Sequence, residues 1–368
     1  MSLNVRNVTF AAALFLLAPL AHAQAGDCWQ QHRATVYEWT CAGQSLPAEG
    51  QDFALSIVVV DSPKALMVID SGATAAVGES VAAAIRSKFG TKPVWVLNTQ
   101  PKPEHVLGNV GFRAAFASTL APGENFSSRV VAGKRTADLM RERCPTCIEN
   151  FSERMGSDSV KGTESLVPGR ILRTQTGHLG LLHNDWVPWK FRLYKDLETE
   201  EALVLRNQEL KLWWVGSAVQ NRDIPDLYDG NVVERINFLG RLKARMAADD
   251  TVLTSFGVLG RDWIERNLNY FVRVQQAVLY GLEDGVSEVE LIEQISAQIG
   301  EFKNIVYVQT DPNVNAKALE TQDNSKRAAQ RWLKLASYYQ DSGDHAEAQA
   351  AVDEALRVNP QHPKALDM

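Results

Sequence analysis

The strongest constraint on the fold is a set of short apolar, β-branched runs that alternate with a helix-like segment before residue 100. Residues 56–60 (Ser-Ile-Val-Val-Val), 65–69 (Ala-Leu-Met-Val-Ile) and 94–97 (Val-Trp-Val-Leu) read as buried strands, and 79–89 reads as a helix. A second block follows between residues 190 and 214. There 202–205 and 210–215 read as strands joined by a hairpin-like turn, Arg-Asn-Gln-Glu, at 206–209. Helices are predicted at about 231–247 and 260–283. Two similar halves, each with strands then helices, imply a mixed α/β chain.

Composition narrows the partners. Apolar residues make up 45% and charged residues 22% of the 368, ordinary values for a globular chain. A net charge of −6 without a basic block offers no electrostatic footprint for nucleic acid. Arg6, an uncharged run over 10–20 and Ala-His-Ala at 21–23 give an expected signal peptide over 1–23. That run is shorter than the roughly 20 residues a membrane span needs, so no span is expected after cleavage. The expected location is periplasmic or secreted. Four cysteines, Cys28, Cys41, Cys144 and Cys147, then favour disulfides, most simply Cys28 with Cys41 and Cys144 with Cys147. The Cys-Pro-Thr-Cys spacing also fits metal binding or thiol exchange.

The loop after the strand at 94–97 reads Asn-Thr-Gln-Pro-Lys-Pro-Glu-His-Val-Leu-Gly-Asn over 98–109. It resembles the metal-binding His-x-His-x-Asp-His loop of the metallo-β-lactamase superfamily, with Gln100, Lys102, Glu104 and His105 in its four places. Asp-Ser-Gly at 70–72 resembles the family's Asp-x-Gly turn. Glu198, Ser217 and Phe256 stand where the family has His, Asp and His. The resemblance covers roughly residues 50–310. It implies an αβ/βα four-layer sandwich in a domain spanning 24–310.

In an active member two zinc ions lower the pKa of a bound water to about 7 for attack on a carbonyl or phosphoryl centre. Carried over by resemblance, one zinc needs 100, 102 and 198, the other 104, 105 and 256, with 217 between them. Only His105 keeps the family's residue. Lys102 has no lone pair and repels a divalent ion, and Phe256 puts an apolar ring where a ligand stood. No catalytic residue and no bound metal is therefore expected, and Lys102, balanced by Glu104 and Glu198, is expected in the metal's place. The alternative is a mononuclear zinc hydrolase using Glu104, His105 and Glu198 on an ester, lactam or thioester. His178, His183 and Asp185 read as surface residues, and His32, His345 and His362 are left unplaced. No Gly-x-Ser-x-Gly elbow and no phosphate-cradling Gly-rich loop occurs.

Short matches at Arg143, Cys144 and Cys147, at Gly162 and Thr163, and at 304–307 resemble exported metallohydrolases associated with quinoprotein dehydrogenases. A polar linker is expected over 311–328. Beyond it, Trp332, Leu335, Ala336, Tyr339, Gly343, Ala348, Ala355 and Pro360 match a tetratricopeptide repeat over 329–362. A single repeat cannot bury its own apolar face, so it either caps the main domain or binds a protein partner. The predicted protein is an exported, non-catalytic binding or accessory protein.

Overall fold

The computed structural model describes residues 28–40, 55–221, 230–283 and, toward the C-terminus, 329, 332–333, 336, 340, 345–361 and 363–366. The expected signal peptide, the linker, Cys41, Leu335, Tyr339 and His362 lie outside the described residues.

Seven strands form the first sheet in chain order: β1 (Trp29–Arg33), β2 (Val36–Trp39), β3 (Ile57–Asp61), β4 (Leu66–Ile69), β5 (Val94–Leu97), β6 (Val130–Gly133) and β7 (Arg170–Leu172). Pairing is antiparallel from β1 to β4 and parallel from β4 to β7. The second sheet contains β8 (Thr176–His178), β9 (Trp189–Lys195), β10 (Glu201–Asn207), β11 (Leu212–Trp214), β12 (Thr251–Thr254) and β13 (Gly257–Leu259). Its order is β13-β12-β11-β10-β9-β8, with β11 and β12 parallel and the rest antiparallel.

Strand periodicity sorts the side chains into layers. On β3, Val58 and Val60 face the second sheet, where they join Phe191, Leu203, Leu205 and Trp214. Their neighbours Ile57 and Val59 face outward to Val81, Ala82 and Ile85 of α1 (Ala75–Phe89) and Phe112 of α3 (Asn109–Ala115). On β10, Ala202 and Val204 face outward to α5 (Val232–Arg245) and α6 (Arg261–Glu283) through Phe238, Leu239, Ile264 and Phe271. Both faces of each sheet are thus apolar, and a one-residue slip would exchange the two sets. The order helix, sheet, sheet, helix is the expected four-layer sandwich.

The predicted helix at 79–89 begins earlier, at Ala75, because Thr74 caps it by accepting from the Val77 amide at 3.3 Å. The turn predicted at 206–209 shifts onward, because β10 runs to Asn207 and Lys211 takes a positive φ of 50°.

Cys144 and Cys147 lie inside α4 (Lys134–Met155) and are free thiols, which corrects the expected disulfide between them. The helix turns Cys144 into an apolar cluster with Ala73, Val106, Leu107 and Met140, and leaves Cys147 half-buried. Cys28 is disulfide-bonded, but its expected pairing with Cys41 remains an expectation. In the C-terminal part, α7 (His345–Val358) and α8 (Pro363–Leu366) accompany a cluster of Ala329, Trp332, Leu333, Ala336, Ala351, Val352, Ala355 and Ala365. Among the described residues no helix is long and apolar enough to cross a membrane.

Candidate functional site

The loop that carries Gln100 to His105 leaves β5 at the rim of the sandwich, and close backbone contacts fix its path. A Cβ at Gly108 would lie 1.9 Å from the Ser71 carbonyl oxygen. One at Gly78 would lie 2.0 Å from the Gly108 carbonyl oxygen, and one at Gly111 2.3 Å from the Glu79 amide nitrogen. No side chain fits there. Pro103 opens the one-turn helix α2 (Pro103–Val106) with Lys102 at its cap, and α2 turns His105 inward.

Asp70 anchors the loop. It follows β4 with φ 63°, a left-handed conformation, and accepts from the Thr99 amide at 2.8 Å and from Thr99 Oγ1 at 2.8 Å. Its Oδ2 also receives His105 Nδ1 at 2.8 Å. His105 is buried beside it. Burial opposes the charged imidazole, but the Asp70 carboxylate, by charge and by hydrogen bond, outweighs it. With smaller contributions from Glu104 and Glu198, the His105 pKa rises above its ordinary value.

The outward nitrogen of His105 meets Gln100. The Gln100 side-chain amide sits against His105 Nε2 and reaches Ser217 Oγ at 2.8 Å. Gln100 Oε1 is buried with no hydrogen-bond partner among the described residues. A half-turn of this amide exchanges O and N, and a charged imidazole favours the oxygen toward it.

Across the site, the Ser217 amide donates to Glu198 Oε1 at 3.2 Å. The other Glu198 oxygen lies 3.5 Å from Arg235 Nη2, which also donates to the Ser217 carbonyl at 2.9 Å. Arg235 comes from α5, is 0% exposed, and stacks its guanidinium 4.8 Å from the Phe271 ring centroid. Its role was not foreseen, and it adds a second cation to the balance that the sequence assigns to Lys102. The buried cation facing Glu198 is Arg235, whereas Lys102 is half-buried at the α2 cap. The signal was available: Arg235 stands three, four and seven residues before Phe238, Leu239 and Leu242, on the buried face of α5.

The seven places therefore divide. Gln100, His105, Glu198 and Ser217 join Asp70, Thr99 and Arg235 in one hydrogen-bonded chain. Glu104 is half-buried on α2, and its charge still reaches His105. Phe256 is half-buried in the β12–β13 turn, its amide donating to Thr254 Oγ1 at 3.0 Å.

Zinc does not fit this chain of contacts. The one imidazole is held between a carboxylate and an amide, and Glu198 is turned to a guanidinium and a backbone amide. The fallback set Glu104, His105 and Glu198 does not converge, and among the described residues no group of three His, Cys, Asp or Glu is arranged to hold a metal.

His32, His178 and His183 make local structural contacts. His183 caps a short turn by accepting from the Asp185 amide at 3.3 Å, and His178 bonds the Val187 carbonyl at 3.2 Å. His32, unplaced in the sequence, pairs with buried Glu38 at 2.7 Å, and Ser56 Oγ also donates to Glu38.

No family model matches the chain, and no curated protein matches it. Among solved structures, a metallo-β-lactamase from Pontibacter korlensis is 16% identical, with a TM-score of 0.47 over 66% of this chain and 98% of its own. VMB-1 is 14% identical, with a TM-score of 0.49 over 67% and 97%. DIM-1 metallo-β-lactamase is 11% identical, with a TM-score of 0.47 over 67% and 96%.

Proposed function

We propose that this is a metallo-β-lactamase-type protein whose metal centre has been exchanged for a hydrogen-bonded polar core, and that it acts by binding rather than by hydrolysis. The observation that carries this reading is the Gln100 amide seated between His105 Nε2 and Ser217 Oγ. The only imidazole of the loop is thereby spent inside the protein. Export, a link to a periplasmic quinoprotein dehydrogenase system, and a protein partner held by the tetratricopeptide-like segment belong to the same proposal. They rest on the N-terminal sequence, the short motif matches and residues such as Trp332, Ala348, Ala355 and Pro360.

A second reading is a mononuclear zinc hydrolase acting on an ester, lactam or thioester. It draws on one observation, that the charges of Glu104 and Glu198 both act on His105. Metal analysis of the purified chain, before and after incubation with zinc, separates the two. The binding reading expects no stoichiometric metal, no turnover of lactam or thioester substrates, and a partner whose capture requires the segment 329–362. Stoichiometric zinc with turnover abolished in His105→Ala would overturn it.

A further inference from the structure

Away from this centre, three aromatic side chains converge where the outer face of the first sheet meets the last turn of α1. Trp29 on β1 and Tyr37 on β2 both turn toward Phe89, with ring centroids 5.2 Å and 5.0 Å from it and interplanar angles of 86° and 64°. The three rings thus face different directions around a shared space. The ammonium of Lys88 occupies it, 5.6 Å from the Trp29 centroid, 5.2 Å from Tyr37 and 5.9 Å from Phe89.

We propose that Trp29, Tyr37 and Phe89 form a cage for a trimethylammonium group, and that Lys88 fills it in the free protein. Three π faces around one cation are the arrangement by which proteins hold quaternary ammonium ligands. The distances favour the methylated ion. A bare ammonium gains by approaching a ring closely, whereas methyl groups need the extra space between nitrogen and ring that these separations leave. The negative end of α1 adds to the attraction, because Lys88 and Phe89 lie in its final turn before Gly90. Lys88 itself is exposed, so it can swing into water and yield its place, while the half-buried rings stay fixed by their mutual contacts and by the adjacent core.

The test titrates the full chain with tetramethylammonium and with choline, following tryptophan fluorescence and ligand-observed NMR. Lys88→Ala removes the internal competitor and is expected to bind both at least about tenfold more tightly than the wild-type chain. Phe89→Leu in that background keeps the apolar volume but loses a π face, and is expected to weaken binding about fivefold. Tyr37→Leu serves the same purpose if the first variant fails to fold. Sodium at equal ionic strength is expected to give no signal. Equal affinity with and without Lys88, or affinity unchanged by Phe89→Leu, would overturn the proposal. So would binding only to phosphatidylcholine vesicles with none to tetramethylammonium, which would mark a membrane surface rather than a cage.

Discussion

Arg235 and Glu198 meet at 3.5 Å with both side chains withdrawn from solvent, and the Ser217 backbone lies between them. The Arg235 guanidinium thus brings a buried positive charge to this site. It answers a buried carboxylate that would otherwise be costly to hold.

Removing one member of such a pair leaves an uncompensated charge. Arg235→Met is expected to lower stability by about 3–5 kcal/mol in urea unfolding, with much of the loss recovered by adding Glu198→Gln. Lys102→Met, at a half-buried position, is expected to cost well under half as much. Equal losses for the two lysine and arginine variants would shift the charge balance back to Lys102.

The contact of His105 with Asp70 makes stability depend on pH with a definite sign. The folded pKa lies above the unfolded value of about 6.5, so the contribution is fully present below that pH and fades as pH rises through the folded value. Urea midpoints between about pH 6 and pH 9 should therefore fall for the wild-type chain, with a slope no steeper than about 1.4 kcal/mol per pH unit from this group. Asp70→Asn should flatten the curve, and parallel profiles would refute the assignment.

Burial pushes the Cys144 thiol up to about 11, with only partial relief from Ser165, and burial also raises Cys147. Neither thiol presents much thiolate near neutrality. Mass spectrometry after brief iodoacetamide treatment at pH 8 should find Cys144 unmodified in the native chain and alkylated after denaturation. Rapid native alkylation would place Cys144 outside the cluster with Val106 and Met140.

Gly108 has an ordinary φ of −72°, so its requirement for glycine comes from contact alone. Gly108→Ala forces a methyl group to within 1.9 Å of the Ser71 carbonyl, and the backbone must shift. The expected loss is about 1–3 kcal/mol by thermal unfolding, against no loss for Gly240→Ala at an open position inside α5. Similar melting temperatures for Gly108→Ala and the wild-type chain would refute the close approach.

Much of the fold was legible because short apolar, β-branched runs bounded by turn residues favour buried strands. Residues 56–60, 65–69 and 202–205 are buried throughout, and each run is too short for a helix. The hairpin of β1 and β2 escaped notice because Gln30, Gln31 and His32 interrupt the apolar signal, and β8 is largely exposed. The location of the site was legible in the loop spacing, but its wiring was not. Gln100 and Ser217 are 117 positions apart, and no local pattern announces their bond. Asp70 stood in a recognised turn, yet only its left-handed backbone shows that its carboxylate is aimed at Thr99 and His105.

The three glycines that press α1, α3 and the loop together have a consequence for what the loop can carry. At 78, 108 and 111 backbone touches backbone, and the path of the loop is settled before any side chain is chosen. The loop then behaves as a socket: its fittings can be exchanged without moving the backbone that presents them.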